Sequence, residues 1–172
     1  MNRPIINIAD VELVPLAAMS AKAGGAPPPA RFGGSLARIA PVIGAKKLGY
    51  NLTVLPPGKC AFPFHSHRIN EEMFFVIEGV GEIRIGDQRH AIRAGDVIAC
   101  PPGGIESAHQ IRNTSDSEEL RMLAVSTLIS PEICEYPDSG KFGVSDPETT
   151  GERPPFRYVG RAGRSVDYWD GE

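Results

Sequence analysis

Between residues 48 and 128, apolar and polar positions alternate in short runs, each stopped by turn residues. "LGYNLTVL" (48–55) ends at Pro56-Pro57-Gly58, and "MFFVIEG" (73–79) ends on its own glycine. "GEIRI" (81–85) leads into Gly86-Asp87, a hairpin signal, and "QRHAIRAG" (88–95) returns from it. "DVIAC" (96–100) stops at Pro101-Pro102-Gly103-Gly104, and "HQIRN" (109–113) precedes the polar turn "TSDSEE". "RMLAVSTL" (121–128) closes the zone. Strand side chains alternate between two faces, so runs of about five to eight residues with this period predict strands. Their regular spacing predicts an all-β, antiparallel sandwich or barrel rather than an α/β sheet. Neither a helix-period stripe nor an internal repeat interrupts the zone.

The flanks differ. Residues 1–47 are rich in Ala, Gly and Pro, and "GGAPPPARFGG" (24–34) excludes a regular helix or a central strand, because proline lacks the N–H that either ladder needs. An N-terminal arm is expected there, with one short helix in "VELVPLAAMSA" (11–21). Residues 129–172 return to Pro, Gly and charge, yet carry Tyr136, Phe142, Phe156, Tyr158, Tyr168 and Trp169. Disordered tails are poor in aromatics, so part of this C-terminal tail is expected to pack on the core or on a partner subunit. The chain thus divides into an arm (1–47), a strand core (48–128) and a tail (129–172).

With 172 residues and 41% hydrophobic content, the chain is long enough for one domain with a real core. A net charge of -3, with Lys46-Lys47 the only adjacent basic pair, gives no footprint for nucleic acid or anionic membrane. Cys60, Cys100 and Cys134 are an odd set with no CxxC spacing, which excludes a disulfide framework and suits a reducing cytoplasm. The apolar stretch at 13–23 ends in an A-x-A-like triplet. Asp10 and Glu12 precede it where a secretion signal would be basic, and Pro15 interrupts it, so it reads as structural. No apolar run is long enough to span a bilayer.

The candidate chemistry lies in "HSHRINEEMFFVIEG" (65–79). On a strand, His65 and His67 point the same way with backbones about 6–7 Å apart, near enough for both imidazoles to reach one ion. Glu71 and Glu72 follow on opposite faces of the next strand, and both faces are apolar further along, so periodicity does not choose between them. His109 opens another alternating run after a Pro/Gly turn. Three imidazoles and a carboxylate suit one divalent transition ion: Zn, Ni, Mn, Fe or Cu. His90, beside the Gly86-Asp87 turn, reads as an ordinary surface histidine.

These residues carry a resemblance. "PPGKCAFPFHSHRINEEMFFVIEG" resembles the first motif of the cupin superfamily: a glycine, HxH, four residues, Glu, six residues, Gly. "GDVIACPPGGIESAHQIRN" resembles the second: Gly95, Pro101-x-Gly103, then His109 and Asn113. The chain departs from the pattern twice. One extra residue separates Gly58 from His65, and "GIESA" lengthens the loop before His109. The resemblance implies a single-domain, metal-binding cupin folded as a double-stranded β-helix, a jelly-roll barrel, commonly paired as a homodimer. It selects Glu72 over Glu71 and implies His65, His67, Glu72 and His109 as metal ligands. Pocket candidates are Tyr50 or Asn51, Phe64, Phe74, Ile111 and Asn113, with Glu106 on the long loop as a candidate general acid or base. The fold hosts many chemistries. The expected function is that of a metalloenzyme (dioxygenase, isomerase, lyase or decarboxylase) acting on a small oxygen-bearing substrate. The alternative is a non-catalytic small-molecule or carbohydrate binder.

Overall fold

The alternating runs become strands at the places where turn residues bound them. The computed structural model describes residues 4–22, 25–147 and 155–172. Those parts of the arm and tail readings that fall on 1–3, 23–24 and 148–154 lie outside the described residues. In chain order the arm contains β1 (Val14–Pro15), α1 (Leu16–Lys22), β2 (Ser35–Arg38) and α2 (Ala40–Ile43). The expected short helix is α1. The strand zone follows with β3 (Leu48–Leu55), β4 (Ser66–His67), β5 (Glu72–Glu78), β6 (Val80–Ile85) and β7 (Gln88–Arg93). It continues through β8 (Val97–Cys100), β9 (His109–Asn113) and β10 (Leu120–Thr127). The tail adds β11 (Glu132–Tyr136), β12 (Lys141–Asp146) and β13 (Phe156–Gly160).

Two glycines show why the turns fall where they do. Gly86 has φ 53° at the β6–β7 hairpin, a left-handed conformation that glycine adopts without steric cost. Gly79 has φ 88° between β5 and β6, and a Cβ there would run into the backbone oxygen of Glu119. β5 therefore ends at a position that only glycine fits.

The strands form a six-stranded sheet (β1-β2-β3-β10-β5-β8), a three-stranded sheet (β7-β6-β9) and a four-stranded sheet (β13-β12-β11-β4). The inner face of the six-stranded sheet packs against the three-stranded sheet through Leu55, Phe74, Val76, Ile98, Leu120 and Met122 on one side and Ile83, Ile92 and Ile111 on the other. A second apolar cluster covers the outer face. There Ala37 and Ile39 of the arm lie on Leu52 and Val54, with Ile6, Val11 and Tyr50 packed around them. Alternation along β3 sends Leu52 and Val54 outward and Leu55 inward.

This architecture corrects one expectation. Among the described residues the chain is mostly β, but its sheets neither close nor curl into a double-stranded β-helix or jelly-roll barrel: each of the three ends in two edge strands. The physical reason lies in residues 61–64. In backbone pairing the neighbouring segment meets β9 through single bridges, Cys60 with Arg112 and His65 with His109. Between those bridges, Pro63 has no N–H to give, and its carbonyl is taken by Nδ1 of His65 at 2.8 Å. The ladder that would join the three-stranded and four-stranded sheets is thereby interrupted.

Candidate metal centre

Glu72 opens β5 on the inner face, in register with Ser126 on β10 and Cys100 on β8. Hydrogen-bonded neighbours on both sides hold its backbone in place. Glu71 is exposed, and its N–H donates to Thr127 Oγ1 at 3.0 Å. The histidines arrive differently. His67 lies on the two-residue β4, opposite Cys134 on β11, while His65 N–H and C=O exchange hydrogen bonds with His109 at 3.1 and 2.7 Å.

The three Nε2 atoms converge on one carboxylate oxygen. Glu72 Oε2 lies 3.0 Å from His109, 3.3 Å from His67 and 3.9 Å from His65. Each Nδ1 meanwhile faces an outer partner: Pro63 O at 2.8 Å for His65, Ser107 O at 3.4 Å for His109, and Cys134 Sγ at 3.4 Å for His67. An imidazole that gives its Nδ1 proton outward presents the Nε2 lone pair inward, the arrangement a metal ligand needs. Nε2 of His67 is buried and has no hydrogen-bond partner in good geometry. A buried polar atom in that state costs free energy unless a further group satisfies it. His65, His67 and Glu72 offer ligand atoms that lie within 4.8 Å of one another, so the cluster can coordinate one metal ion. Two imidazoles and a carboxylate fit a divalent transition ion and do not decide which.

Without a metal, the same proximity distorts the titration of the cluster. Burial, with the nearby charge of His109, lowers the pKa of His65 to about 4. For His67, burial also acts downward, but the contact of Nδ1 with Cys134 and the nearby Glu72 carboxylate win and raise it to about 10. For Glu72, burial pushes upward and is overcome by His109 and His67, leaving the carboxyl well below the usual carboxylate range. Cys100, buried beside Glu72, is pushed up to about 12 and stays a thiol.

The remaining sequence candidates separate. Phe74 packs edge-on against His109 at 5.7 Å and Ile111 belongs to the inner core. Phe64 is buried under the Arg84 guanidinium, 3.6 Å from its ring centre. Asn113 is fully buried, donates to Leu55 O and Glu118 O, and accepts from Ser115 N, so it ties a turn. Tyr50 sits in the outer cluster, whereas Asn51, in register with Ala124, occupies the inner-face row of Phe74. Glu106 is exposed, with its carboxylate accepting from Gly104 N at 2.8 Å in its own loop. His90 is exposed on its hairpin, as its sequence context suggests.

Residues of the tail complete the surroundings. Glu132, buried, accepts from the backbone N–H groups of Ile69 (3.2 Å), Asn70 (2.8 Å) and Ile133 (2.8 Å) and from the Asn70 amide. It thereby fixes the turn between His67 and Glu72. Tyr136 stacks on His65 at 6.2 Å. The sequence signal for these residues is the alternation in "EICEY", which sends Glu132, Cys134 and Tyr136 to one face. The surrounding Pro, Gly and charge mask that signal as a tail.

With the geometry in hand, comparison with known proteins falls on the same residues: the cupin-domain model matches residues 51–126, which span both histidine segments and Glu72. The chain carries a single cupin domain. No curated protein matches the sequence. Among solved structures, the cupin domain and its flanks resemble a cupin-superfamily sugar phosphate isomerase of Silicibacter pomeroyi, with TM-score 0.74 and 24% identity over 97% of this chain and 98% of that one. A proposed sugar phosphate isomerase of Acidithiobacillus ferrooxidans aligns with TM-score 0.64 and 19% identity, over 78% of this chain and 80% of that one. The polyketide cyclase RemF of Streptomyces resistomycificus aligns with TM-score 0.55 and 18% identity, over 74% and 82%. At these identities the likeness is one of fold, a cupin-like arrangement of sheets. No helix among the described residues is long and apolar enough to cross a membrane.

Proposed function

We propose that this cupin domain is a metal-dependent enzyme that isomerises a small hydroxy-carbonyl compound. The observation that carries the reading is the convergence of His65 and Glu72 on the buried Nε2 of His67, which has no hydrogen-bond partner in good geometry. In this reading His109 is the fourth ligand, supported by its 3.0 Å approach to Glu72 Oε2. A divalent ion held there supplies Lewis-acid polarisation of a carbonyl or hydroxyl oxygen. The chain's own residues orient the substrate beside it. Tyr136 covers the flank of His65, and burial raises its pKa, so that a protonated phenol faces the site. Isomerisation is preferred over dioxygenase, lyase or decarboxylase chemistry because two of the similar folds are named as sugar phosphate isomerases.

The finer setting is part of the same reading. Three free cysteines support a cytoplasmic protein. Exposed Phe75 and Val97, neighbours across β5 and β8 on the outer face, support a homodimer. The net charge of -3 supports a small-molecule partner rather than nucleic acid.

A second reading, a non-catalytic binding protein, is favoured by one observation: the carboxylates nearest to a base role are engaged. Glu132 is held by backbone N–H groups and Glu106 by its own loop. A panel of aldose and ketose compounds, scored by both thermal shift and product formation with added Zn, Ni, Mn, Fe or Cu, separates the two. Product formed only with metal, and lost in His67→Ala, supports the enzyme. Stabilisation without product supports the binder.

A further inference from the structure

The face of the four-stranded sheet that carries the histidines continues beyond them. Residues opposite one another in an antiparallel pair share a face. Starting from His67, the register runs through Cys134, Gly143 and Val159. On one side of that row lie Tyr136 and Lys141, and on the other Glu132, Ser145 and Arg157. Gly143 makes the middle of the row low. A Cβ there would fit in ordinary van der Waals contact with Tyr136 Cε2 at 3.8 Å, Val159 Cγ2 at 3.7 Å and the Tyr158 carbonyl at 3.6 Å, so the side chains of Tyr136 and Val159 flank the low point. The result is a shelf that begins at the metal cluster and is floored by Gly143.

Two cations border this shelf. Lys141 Nζ lies 5.6 Å from the centre of the Tyr136 ring, whose other neighbour is His65. The Arg157 charge reaches Tyr136 as well, favouring its ionised form against the larger opposing effect of burial. Among the described residues, no carboxylate lies within 4.0 Å of either cation. The acids of the same hairpin are taken elsewhere: Asp138 by Arg84 at 2.9 Å, and Glu135 by Arg68 at 2.7 Å. Arg68, Arg84, Arg89 and Arg121 each have an acidic partner. Here a lysine and an arginine stand on the metal-bearing face with none.

We infer that Lys141 and Arg157, across the Gly143 floor, form an anion subsite that holds the phosphate of a phosphorylated substrate while its hydroxy-carbonyl end lies at His65, His67 and Glu72. Two cations match the charge of about −1.5 to −2 that a phosphate monoester carries at neutral pH, whereas a lone carboxylate would leave one of them uncompensated. Arg157 adds a planar fork suited to two phosphate oxygens. The subsite stands on the shelf alone, and the substrate's second half rests on the function proposed above.

The test is calorimetric titration of the purified full chain with inorganic phosphate, repeated with acetate at equal ionic strength. Phosphate should bind, and acetate should not displace it. Lys141→Ala and Arg157→Ala should each weaken binding about tenfold, the loss expected for one charge-assisted contact. Gly143→Leu should block the shelf, and His67→Ala should still bind phosphate. Failure of wild type to bind, unchanged affinity in both alanine variants, or equal competition by acetate would overturn the subsite. Because the readout is heat rather than turnover, an inactive enzyme with intact phosphate binding removes the isomerase reading and leaves the shelf. Turnover without phosphate binding does the reverse.

Discussion

Glu72 and the histidine pair reach the same point by different means. Glu72 sits at the start of a seven-residue strand with hydrogen-bonded neighbours on both sides, in a sheet whose inner face is the main core. His67 sits on a two-residue strand at the free edge of another sheet, and His65 lies just outside it on an isolated bridge. The carboxylate is placed by sheet register. The imidazoles are placed by what is sewn to a short edge: β11 on one side, His109 on the other, and Glu132 beneath the turn. A site with one rigid half and one stapled half should respond unequally to damage on its two sides.

The largest effect tests the rigid half. Glu72→Ala removes the charged ligand that all three imidazoles face, and metal content should fall from about one ion per chain to near zero, read by elemental analysis. Glu71→Ala, at the exposed position just before β5, should leave it unchanged. Next comes the staple. Glu132→Ala leaves the buried N–H of Asn70 and the part-buried N–H of Ile69 without their acceptor and should cost roughly 3 kcal/mol in denaturant unfolding. It should also weaken metal binding by about 10- to 100-fold, as loss of an outer partner of a ligand does, although Glu132 is not itself placed as a ligand. Equal behaviour of the metal-free Glu132→Ala and wild-type proteins would remove the distinction between the two halves.

Proton linkage gives a subtler comparison within the stapled half. His67, raised to about 10, contributes stability that is complete below its ordinary value near 6.5 and disappears as pH climbs to about 10. His65, lowered to about 4, is buried neutral, so the unfolded chain gains a proton first and stability falls as pH drops from 6.5 toward 4. Glu72, depressed, adds stability above the ordinary carboxylate range that is lost only as pH falls below it. The melting temperature of the metal-free protein should therefore peak near about pH 6.5. His67→Ala should flatten the alkaline limb and His65→Ala the acid limb. The smallest effect concerns Ser66, whose hydroxyl is fully buried without a partner between the two histidines. Ser66→Ala should stabilise the fold by about 1 kcal/mol in thermal unfolding, with no change in metal content.

Much of the fold was legible because its signals are local. "LGYNLTVL" coincides with β3 and "HQIRN" with β9, since each run is bounded by residues that cannot continue a ladder. The choice of Glu72 over Glu71 was legible only through the family motif. Alternation places the two on opposite faces without saying which face is inside, and β10 and β8 decide that by pairing on either side of β5.

What the sequence by itself determined is the run of strands between residues 48 and 128, the pairing of His65 with His67 on one side of the backbone, and the type of donor available. Periodicity and turn chemistry act over a few residues and need no partner. What only the tertiary structure decided is how sheets that remain open bring residues 65, 67 and 109 around one oxygen of Glu72, and that a strand of the apparent tail stands beside them. Those facts depend on which strands pair across long separations. That is a matter of packing between faces, and the missing N–H of Pro63 shapes it as much as any ligand does.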